Sequence, residues 1–335
     1  MVGVSSRFSR WLSPSGLVLL FIVLALPAIF LSPALARDYP QRTIRIVVPF
    51  PAGGGTDHIA RTLAERLGSR FEHSVIVDNK PGGGTIIGSQ DVVRSPADGH
   101  TLLLTSSAHA INTALVPDLP YDTQTSFSST ALIAREPIVL VAHADRPYSS
   151  VSEVLEFAKK NSGGLTYGSS GNGTAVHLAG ELFKSMTGAN LLHIPYRGGA
   201  PAAVDLLGGQ IDLAFATFST VGEHIRSGRV KAIGVTSKER SALFPDVPTI
   251  AESGVPGYVA DIWYATFVPA GTPDDVIETL NAEINASLQD EALRERFDVL
   301  GLITQPGTPR ELSDYVLQEE ERWTKVVESA GIRRE

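Results

Sequence analysis

Residues 43–71 read TIRIVVPFPAGGGTDHIARTLAERLGSRF, and this stretch decides the fold class. The apolar, β-branched run Thr43–Val48 predicts a buried strand. Apolar residues recur at every fourth position from Ile59 to Phe71, which predicts a helix. The glycine-rich segment Pro51–Asp57 connects the two. A strand, a glycine loop and a helix in this order form the repeating unit of an α/β protein.

The same alternation continues along the chain. Further strands are predicted at Ser74–Val77, Thr101–Thr105, Pro137–Ala142, Leu165–Gly168, Leu191–Ile194, Ile211–Ala216, Val230–Thr236 and, as one long apolar strand, Tyr258–Val268. Such alternation predicts a mostly parallel sheet with helices on both faces. Two helix starts follow the last strand, at Asp274 and at the capping box Thr308-x-x-Glu311. We expect this pair of C-terminal helices to pack on the first domain.

The N-terminus has the pattern of a secretory signal peptide. Arg7 and Arg10 precede the apolar run Leu17–Phe30, and Ala34-Leu35-Ala36 then forms an A-x-A cleavage signal. A membrane anchor is the alternative, but the run is shorter than the about 20 residues that a span needs. We therefore expect residues 1–36 to be removed, with cleavage after Ala36 and export to the periplasm through the general route.

Length, charge and cysteine content exclude several classes of protein. The chain has 335 residues, which predicts about two domains. Its net charge is −8, and no basic run occurs, so a nucleic-acid partner is not expected. Cysteine is absent, which excludes a disulfide scaffold, thiolate catalysis, zinc–cysteine sites and iron–sulfur clusters.

Four glycine-rich loops each lead towards a helix. They are Pro51–Asp57, Pro81–Thr85, Gly168–Thr174 and Arg197–Pro201. Glycine lets the backbone approach a ligand, and a helix N-terminus offers unpaired N–H groups with a partial positive charge. In open α/β sheets such loops gather at the carboxyl edge of the strands. The set predicts an anion held between two lobes, although any one such loop can be a plain connection.

The loops and one neighbouring strand end supply the candidate ligand-binding residues. These are Ala52, Gly53, Gly54, Thr56, Asp57, Ser106, Ser107, His109, Gly171, Asn172, Gly173, Thr174 and Arg197. Thr56, Asp57 and Thr174 are also good helix caps without any ligand. Arg197 either pairs with a carboxylate or lies on the surface, and Ser106, Ser107 and His109 either line the same cleft or form a polar loop at a strand end.

The usual enzyme motifs are missing. The chain lacks a P-loop, the dinucleotide-binding glycine spacing, a Gly-x-Ser-x-Gly nucleophile elbow and His-Glu-x-x-His. His177 and Glu181 share a helix face, but two ligands do not make a zinc site. We expect no catalytic residue, no metal and no cofactor. An exported, two-lobed α/β chain of this kind is typical of a binding protein.

The sequence resembles the substrate-binding proteins of the tripartite tricarboxylate transporter family, the periplasmic receptors also called Bug proteins. The resemblance covers nearly all of the chain after residue 36. The segments that carry it are Ile44–Gly54, Asn79–Gly82, Tyr167–Ser169, His193–Gly198, Asp205–Asp212, Phe244–Thr249 and Pro269–Pro273, and the most specific of them are His193–Gly198 and Asp205–Asp212.

The resemblance implies a type II periplasmic-binding-protein fold, with two α/β lobes joined by two crossing strands. Pro137–Val141 and Ile262–Phe267 fit as the crossings. One discontinuous lobe then comprises residues 37–138 and 261–335, and the other residues 139–260. The resemblance also implies an organic-acid ligand, usually a carboxylate, and delivery to the membrane permease subunits of a tripartite transporter. We expect a monomer.

Two departures from the family pattern and two alternative functions remain open. Ile86 stands where the family commonly has Asn, and His100 where Tyr is common. Ile86 has no polar group with which to make the contact that Asn could make at this position. The alternatives are a receptor that signals to a sensor partner without transport, and an exported hydrolase or lyase. Backbone donors recognise a carboxylate and do not select the rest of the acid.

Overall fold

Eleven strands and ten helices alternate along residues 39–332, the part of the chain that the computed structural model describes. The strands are β1 Ile44–Val48, β2 Val75–Asn79, β3 Thr101–Ser106, β4 Phe127–Glu136, β5 Ile138–His143, β6 Leu165–Ser169, β7 Leu191–Pro195, β8 Leu213–Thr217, β9 Val230–Val235, β10 Ile262–Pro269 and β11 Ile303–Thr304. The helices are α1 Gly55–Phe71, α2 Ile86–Val93, α3 Ala108–Leu115, α4 Val151–Lys160, α5 Ala175–Thr187, α6 Gly199–Leu207, α7 Phe218–Arg226, α8 Asp274–Leu288, α9 Glu291–Val299 and α10 Pro309–Ala330. The predicted signal peptide and its cleavage point at Ala36 lie outside the described residues.

The strands form two sheets, and each sheet with its helices is called a lobe below. Lobe 1 has six strands in the order β11-β4-β10-β3-β1-β2, and lobe 2 has five in the order β7-β6-β8-β5-β9. By its own contacts the chain from Pro40 onward is one compact unit, which contains both sheets. The two-lobed α/β architecture expected from the sequence is confirmed.

The prediction of a mostly parallel sheet is wrong, because both sheets are mixed. Parallel pairing is confined to β2-β1-β3 in lobe 1 and β7-β6-β8 in lobe 2. β10 pairs antiparallel with β3 and β4, and β5 pairs antiparallel with β8 and β9. These antiparallel strands are the ones that adjoin the connections between the lobes, so they do not follow the βα alternation that the sequence pattern detects.

The first connection between the lobes is a single residue. β4 ends at Glu136 in lobe 1, and β5 begins at Ile138 in lobe 2. Pro137, between them, has no N–H to donate to a ladder, which favours a switch of sheet at this position.

The second connection is the segment between β9 and β10. The expected second crossing strand, Ile262–Phe267, lies wholly within the lobe 1 sheet. The two connections are hydrogen-bonded to each other through Thr236 and Ile138. The Thr236 hydroxyl accepts from the Ile138 N–H at 3.0 Å, and the Thr236 N–H donates to the Ile138 carbonyl at 2.9 Å.

Three C-terminal helices, not two, follow β10, and the last of them contacts both lobes. Near its start α10 buries Leu312 and Val316 beside Trp263 and Phe267 of lobe 1. Near its end it buries Trp323, Val326 and Val327 in the core of lobe 2. The predicted capping box at its start is confirmed, with Thr308 and Glu311 bonded reciprocally. The expectation that the C-terminal helices pack on the first domain alone is therefore wrong for α10.

Within residues 39–332, no helix has both the length and the apolar character required to cross a bilayer.

Candidate functional site

A cavity of about 400 Å³ lies where the carboxyl ends of the parallel strands of the two lobes face each other. Six helix N-termini contribute to its wall. The residues at these starts are Thr56 of α1, Thr85 before α2, Ser107 before α3, Thr174 before α5, Gly199 of α6 and Thr217 before α7. Helix N-termini carry a partial positive charge of about half an electron and N–H groups without a partner in the helix. Their convergence therefore makes a site suited to an anion.

The side chains that line the cavity are neutral. The polar ones are Thr56, Thr85, Ser106, Ser107, Asn112, Ser170, Asn172, Thr174, Thr217, Thr220 and Tyr264. The apolar ones include Phe50, Leu115, Val176, Ala202, Ala214 and Phe215. Among the residues the structure describes, the lining contains no Lys, Arg, His, Asp or Glu. An anion here would thus be held by hydroxyl, amide and main-chain N–H donors.

The Pro51–Asp57 loop of lobe 1 is fixed by the carboxylate of Asp57. One oxygen of this buried side chain accepts from the Gly53 N–H at 2.8 Å and from Arg61 Nε at 3.0 Å, and the other accepts from Asn79 Nδ2 at 2.9 Å. Burial by itself would raise the pKa of Asp57, but these donors outweigh it and lower the pKa to about 2. Asp57 does not line the cavity; it holds the loop that leads into α1.

Gly53 requires glycine because its φ is +82°, in the left-handed region. Ala52, Gly53 and Gly54 are exposed and lie outside the lining, whereas Thr56 of the same loop is buried and lines the cavity. α1 begins at Gly55 without a side-chain cap on its N-terminus, so its first N–H groups remain available to a ligand.

Two further polar groups of lobe 1 come from helix α3 and its cap. Ser107 is 1% exposed and lines the cavity, and among residues 39–332 its hydroxyl has no hydrogen-bond partner. Buried hydroxyls nearly always have a partner, so the Ser107 hydroxyl, which lies in the cavity wall, is free to bond to a ligand.

Asn112 donates from Nδ2 to the Gly84 carbonyl and to Thr85 Oγ1, both at 2.9 Å. These bonds hold Thr85 at a φ of +83°, which is uncommon for a non-glycine residue.

The loop of lobe 2, defined as Ser170–Thr174, is fixed by neutral groups. Thr174 caps α5 by accepting from the His177 N–H at 3.3 Å, and its hydroxyl also lies 2.8 Å from the Gly171 carbonyl. The Gly173 N–H donates to His177 Nδ1 at 3.0 Å. Asn172, Gly173 and Thr174 line the cavity, and Gly171 does not.

Two stacked imidazoles lie behind this loop. The ring centroids of His177 and His193 are 3.9 Å apart with an interplanar angle of 17°. His193 Nε2 is 2.7 Å from Ser169 Oγ, which accepts from the Gly171 N–H at 3.2 Å. Burial lowers the pKa of His177 to about 4 and that of His193 to about 3, so both rings are neutral near pH 7.

Two other candidate residues lie away from the cavity lining. Arg197 is exposed at the start of the loop before α6. His109 is buried in lobe 1, where its ring stacks on Phe267 at 4.4 Å and burial lowers its pKa to about 4. Ser106, the remaining candidate at this strand end, lines the cavity, and its hydroxyl accepts from the Ala108 N–H at 3.3 Å.

A buried carboxyl group adjoins the cavity where the chain passes between the lobes. Glu136 accepts from the Tyr264 hydroxyl at 2.6 Å and from the Ser219 hydroxyl at 3.3 Å. Burial raises the pKa of Glu136, and these hydrogen bonds only partly oppose it. A raised pKa means that Glu136 keeps its proton to a higher pH than an ordinary carboxyl, which lessens the negative charge beside the cavity.

Several lining residues were not predicted from the sequence. Thr85, Ser170 and Gly199 lie inside glycine-rich loops that were recognised, so a signal for them existed. Asn112, Thr217, Thr220 and Tyr264 carry no local signal, because only the pairing of distant segments brings them to the cavity.

The two departures from the family pattern are accommodated outside the lining. Ile86 packs on the apolar cluster of lobe 1 that includes Val92 and Leu103. His100 is 7% exposed, and its Nε2 accepts from the Gln41 N–H at 3.1 Å.

No group of three or more His, Cys, Asp or Glu that could hold a metal ion occurs within the described part of the chain.

Comparisons with known proteins show which family the chain belongs to. The sequence pattern described as "Tripartite tricarboxylate transporter family receptor" matches residues 59–332. The chain belongs to this receptor family. It is 40% identical to the "UPF0065 protein in tcbD-tcbE intergenic region" of Pseudomonas sp. (strain P51). The aligned 290 residues cover 86% of each of the two chains.

Solved structures of relatives have the same architecture. The periplasmic binding protein BugD is 37% identical with a TM-score of 0.74, covering 89% of this chain and all of BugD. The R. palustris protein Rpa4515, solved with adipate, is 34% identical with a TM-score of 0.77, covering 88% of this chain and 99% of that one. The family is thus one of receptors, and its solved members include periplasmic binding proteins.

Proposed function

We propose that this protein captures a small organic acid between its lobes and delivers it to the membrane permease subunits of a tripartite transporter. The observation that carries the proposal is the convergence of six helix N-termini on a cavity lined by neutral donors. Carboxylate oxygens accept hydrogen bonds from main-chain N–H groups and hydroxyls, and helix N-termini favour the negative charge. The adipate bound by the relative Rpa4515 is an acid of this class.

The attraction that we propose is local. The net charge of −8 repels anions at long range, so the field of the whole molecule does not steer an acid to the cleft. Hydrogen bonds to an ionised group are shorter and stronger than those between neutral groups, and several fixed donors replace the water that the acid loses. Binding involves no chemical step and requires no metal or cofactor.

The residues that we propose to contact the acid are the lining members of the predicted set. They are Thr56, Ser106, Ser107, Asn172, Gly173 and Thr174. Ala52, Gly53, Gly54, Asp57 and Gly171 would act by shaping their loops, and Arg197 and His109 would not touch the acid in this arrangement. Of the lining residues that the sequence did not predict, Thr85 adds a hydroxyl donor, because its Oγ1 accepts from Asn112 and keeps its own proton.

Export, cleavage, domain division and oligomeric state are also part of the proposal. We propose that residues 1–36 form a signal peptide cleaved after Ala36, and that the mature protein works as a monomer in the periplasm. Similarity to BugD supports the compartment. The proposed division into residues 37–138 with 261–335 and residues 139–260 is supported by the change of sheet at Pro137. Closure of the two lobes about these connections would enclose the acid.

A thermal-shift screen followed by calorimetry tests the proposal. At an acid concentration about 100-fold above Kd, mass action adds about 2.7 kcal/mol of stability, which raises Tm by roughly 5 °C. The screen comprises adipate, shorter and longer dicarboxylates, tricarboxylates, amino acids and aromatic acids, with adipamide as the uncharged control. Stabilisation by an acid and not by adipamide is expected; no stabilisation by any acid would contradict the proposal.

Two serine variants locate the site by calorimetry. Ser107→Ala removes the unpartnered hydroxyl of the lining, and we expect the affinity for the best acid to fall roughly tenfold or more with no loss of Tm. Ser89→Ala is the matched control, because the hydroxyl of Ser89 is also buried without a partner among the described residues but lies outside the lining. Equal affinities for the two variants would place the site elsewhere.

A further inference from the structure

We propose that His177 and His193 are positioning residues for the Ser170–Thr174 loop, and that the loop keeps its binding conformation only while His177 is neutral, so that acid capture weakens at low pH. This inference rests on the function proposed above. Neither ring lines the cavity, and each acts through a main-chain group of the loop.

The bond to His177 fixes the protonation state of that ring. The Gly173 N–H donates to Nδ1 at 3.0 Å, so Nδ1 must carry a lone pair and the ring proton lies on Nε2. A protonated imidazole has a proton on both nitrogens and cannot accept this bond. Protonation of His177 would therefore place two N–H groups against each other and release Gly173 from its position.

The second ring is connected to the same loop through Ser169. His193 Nε2 is 2.7 Å from Ser169 Oγ, and that oxygen accepts from the Gly171 N–H. Because the two rings stack at 3.9 Å, a charge on one opposes a charge on the other. Two glycine N–H groups of one loop are thus held by a single stacked pair.

The groups around the pair are few and mostly paired with one another. On α5, Glu181 Oε1 lies 3.9 Å from His177 Nε2, and Lys184 Nζ contacts both oxygens of Glu181 at 2.8 Å. On β6, the Tyr167 hydroxyl donates to Glu181 Oε1 at 2.6 Å. The charge of Lys184 opposes a proton on either ring, and the charge of Glu181 favours one on His177. Burial outweighs the effect of Glu181, consistent with neutral rings at pH 7.

The substitution His177→Asn separates positioning from titration. Asn Oδ1 can take the place of His Nδ1 as acceptor for the Gly173 N–H, but an amide does not titrate. His177→Leu keeps the bulk and removes the acceptor, which leaves the Gly173 N–H without a partner. We expect adipate affinity at pH 7 to stay within about twofold in the Asn variant and to fall about tenfold in the Leu variant.

The pH profile then provides a readout that a merely structural role would not change. Adipate itself titrates, so the quantity measured is the ratio of the Kd of wild type to that of His177→Asn at each pH. The ratio should rise from about one at pH 7 to about two at pH 4, where half of the His177 rings are protonated. A ratio that stays at one across this range would overturn the proposal.

Nuclear magnetic resonance tests the positioning without any acid. Ring ¹⁵N shifts of wild type should show neutral His177 with its proton on Nε2 at pH 7, and the Gly173 amide shift should titrate together with this ring. The Gly173 amide should be protected from exchange in wild type and His177→Asn and unprotected in His177→Leu. A Gly173 amide indifferent to the ring overturns the proposal, whereas failure of every acid of the screen to bind wild type at pH 7 counts against the proposed function alone.

Discussion

The two glycine-rich loops that face each other across the cavity are held by opposite chemistry. In lobe 1, the Pro51–Asp57 loop is held by an ionised carboxylate, Asp57, with Arg61 and the Gly53 N–H as donors. In lobe 2, the Ser170–Thr174 loop is held by the neutral rings of His177 and His193 and by the hydroxyl of Thr174. Both loops carry glycines at positive φ and both lead into a helix N-terminus.

The comparison shows that the two loops have the same kind of hydrogen bond, from a glycine N–H to a side chain, although the accepting side chain is charged in lobe 1 and neutral in lobe 2. In each case a side chain accepts a glycine N–H, which fixes the loop that leads into the helix N-terminus. The two loops should nevertheless respond differently to low pH. Asp57 loses its charge only near its pKa of about 2, whereas His177 gains a proton near its pKa of about 4. The predictions below use this contrast, from the largest expected effect to the smallest.

The largest contrast is expected in the pH dependence of stability. The pKa of His177 is lowered from 6.5 to about 4, so below pH 6.5 the unfolded state binds more protons than the native state and the free energy of unfolding falls. Integrated down to about pH 4, this group costs about 3 kcal/mol. Urea unfolding of wild type and His177→Asn at several pH values measures it. The Asn variant should lose less stability in this window, and equal losses would contradict the assignment.

Asp57 should act in a lower pH window. Its native pKa of about 2 lies below the ordinary 3.8, so its contribution to stability is complete above pH 3.8 and is lost as the pH falls towards 2. Asp57→Asn should therefore alter the unfolding profile below pH 4 and leave the slope between pH 6.5 and 4 unchanged. If Asp57→Asn altered the upper window, the two loops would not be supported independently.

Gly173 and Gly53 should differ in their tolerance of a side chain. Both have positive φ, which costs an alanine about 1–2 kcal/mol. A Cβ on Gly173 would also lie 2.6 Å from Leu115 Cδ1 of the opposite lobe, whereas a Cβ on Gly53 would meet nothing within 4 Å. We expect acid affinity to fall about 100-fold for Gly173→Ala and about tenfold for Gly53→Ala, because each 1.4 kcal/mol is a factor of ten.

Calorimetry with the best acid of the screen measures both glycine variants, and circular dichroism confirms that each is folded. Adding Leu115→Ala to Gly173→Ala should recover part of the affinity, since it removes the atom that the new methyl group meets. Equal losses at the two glycines would show that the approach of Leu115 to the lobe 2 loop has no role in binding.

The smallest effect is expected from removing the charge of Asp57 near pH 7. Asp57→Asn keeps one oxygen acceptor but loses the ion pair with Arg61, whose side chain is 53% exposed. Acid affinity should fall by about tenfold or less, through loosening of Gly53. Arg61→Gln serves as the control and should have a smaller effect, because an exposed ion pair contributes at most about 1 kcal/mol. Affinity that falls more for Arg61→Gln would mean that the arginine, not the loop, attracts the acid.

The sequence predicts the parts of this molecule that depend on local pattern. Strand, glycine loop and helix follow each other visibly at Thr43–Phe71, and the loops before α1, α5 and α6 could be identified as candidates. β4 was missed, because its first half, Phe127–Thr130, is rich in Ser and Thr and resembles a loop. The mixed pairing of the sheets depends on contacts between distant segments and has no local signal.

The candidate site shows the same division. Thr56, Asn172, Gly173 and Thr174 could be placed at the cavity because they lie in glycine loops, which the fold brings to one edge. Residue type does not reveal whether a loop side chain points into the cleft, as Arg197 on the surface shows. Glu136 and Tyr264 belong to antiparallel strands at the connection between the lobes, where a sequence pattern does not report the partner.

A crystal structure of the protein with the best acid of the screen tests the central claim most directly. The account predicts a carboxylate between the lobes, with its oxygens about 2.7–3.2 Å from main-chain N–H groups at the starts of α1 or α5 and from Ser107 Oγ. It also predicts that no Lys or Arg touches the acid. An acid bound outside this cavity, or one held there by a cationic side chain, would contradict the account.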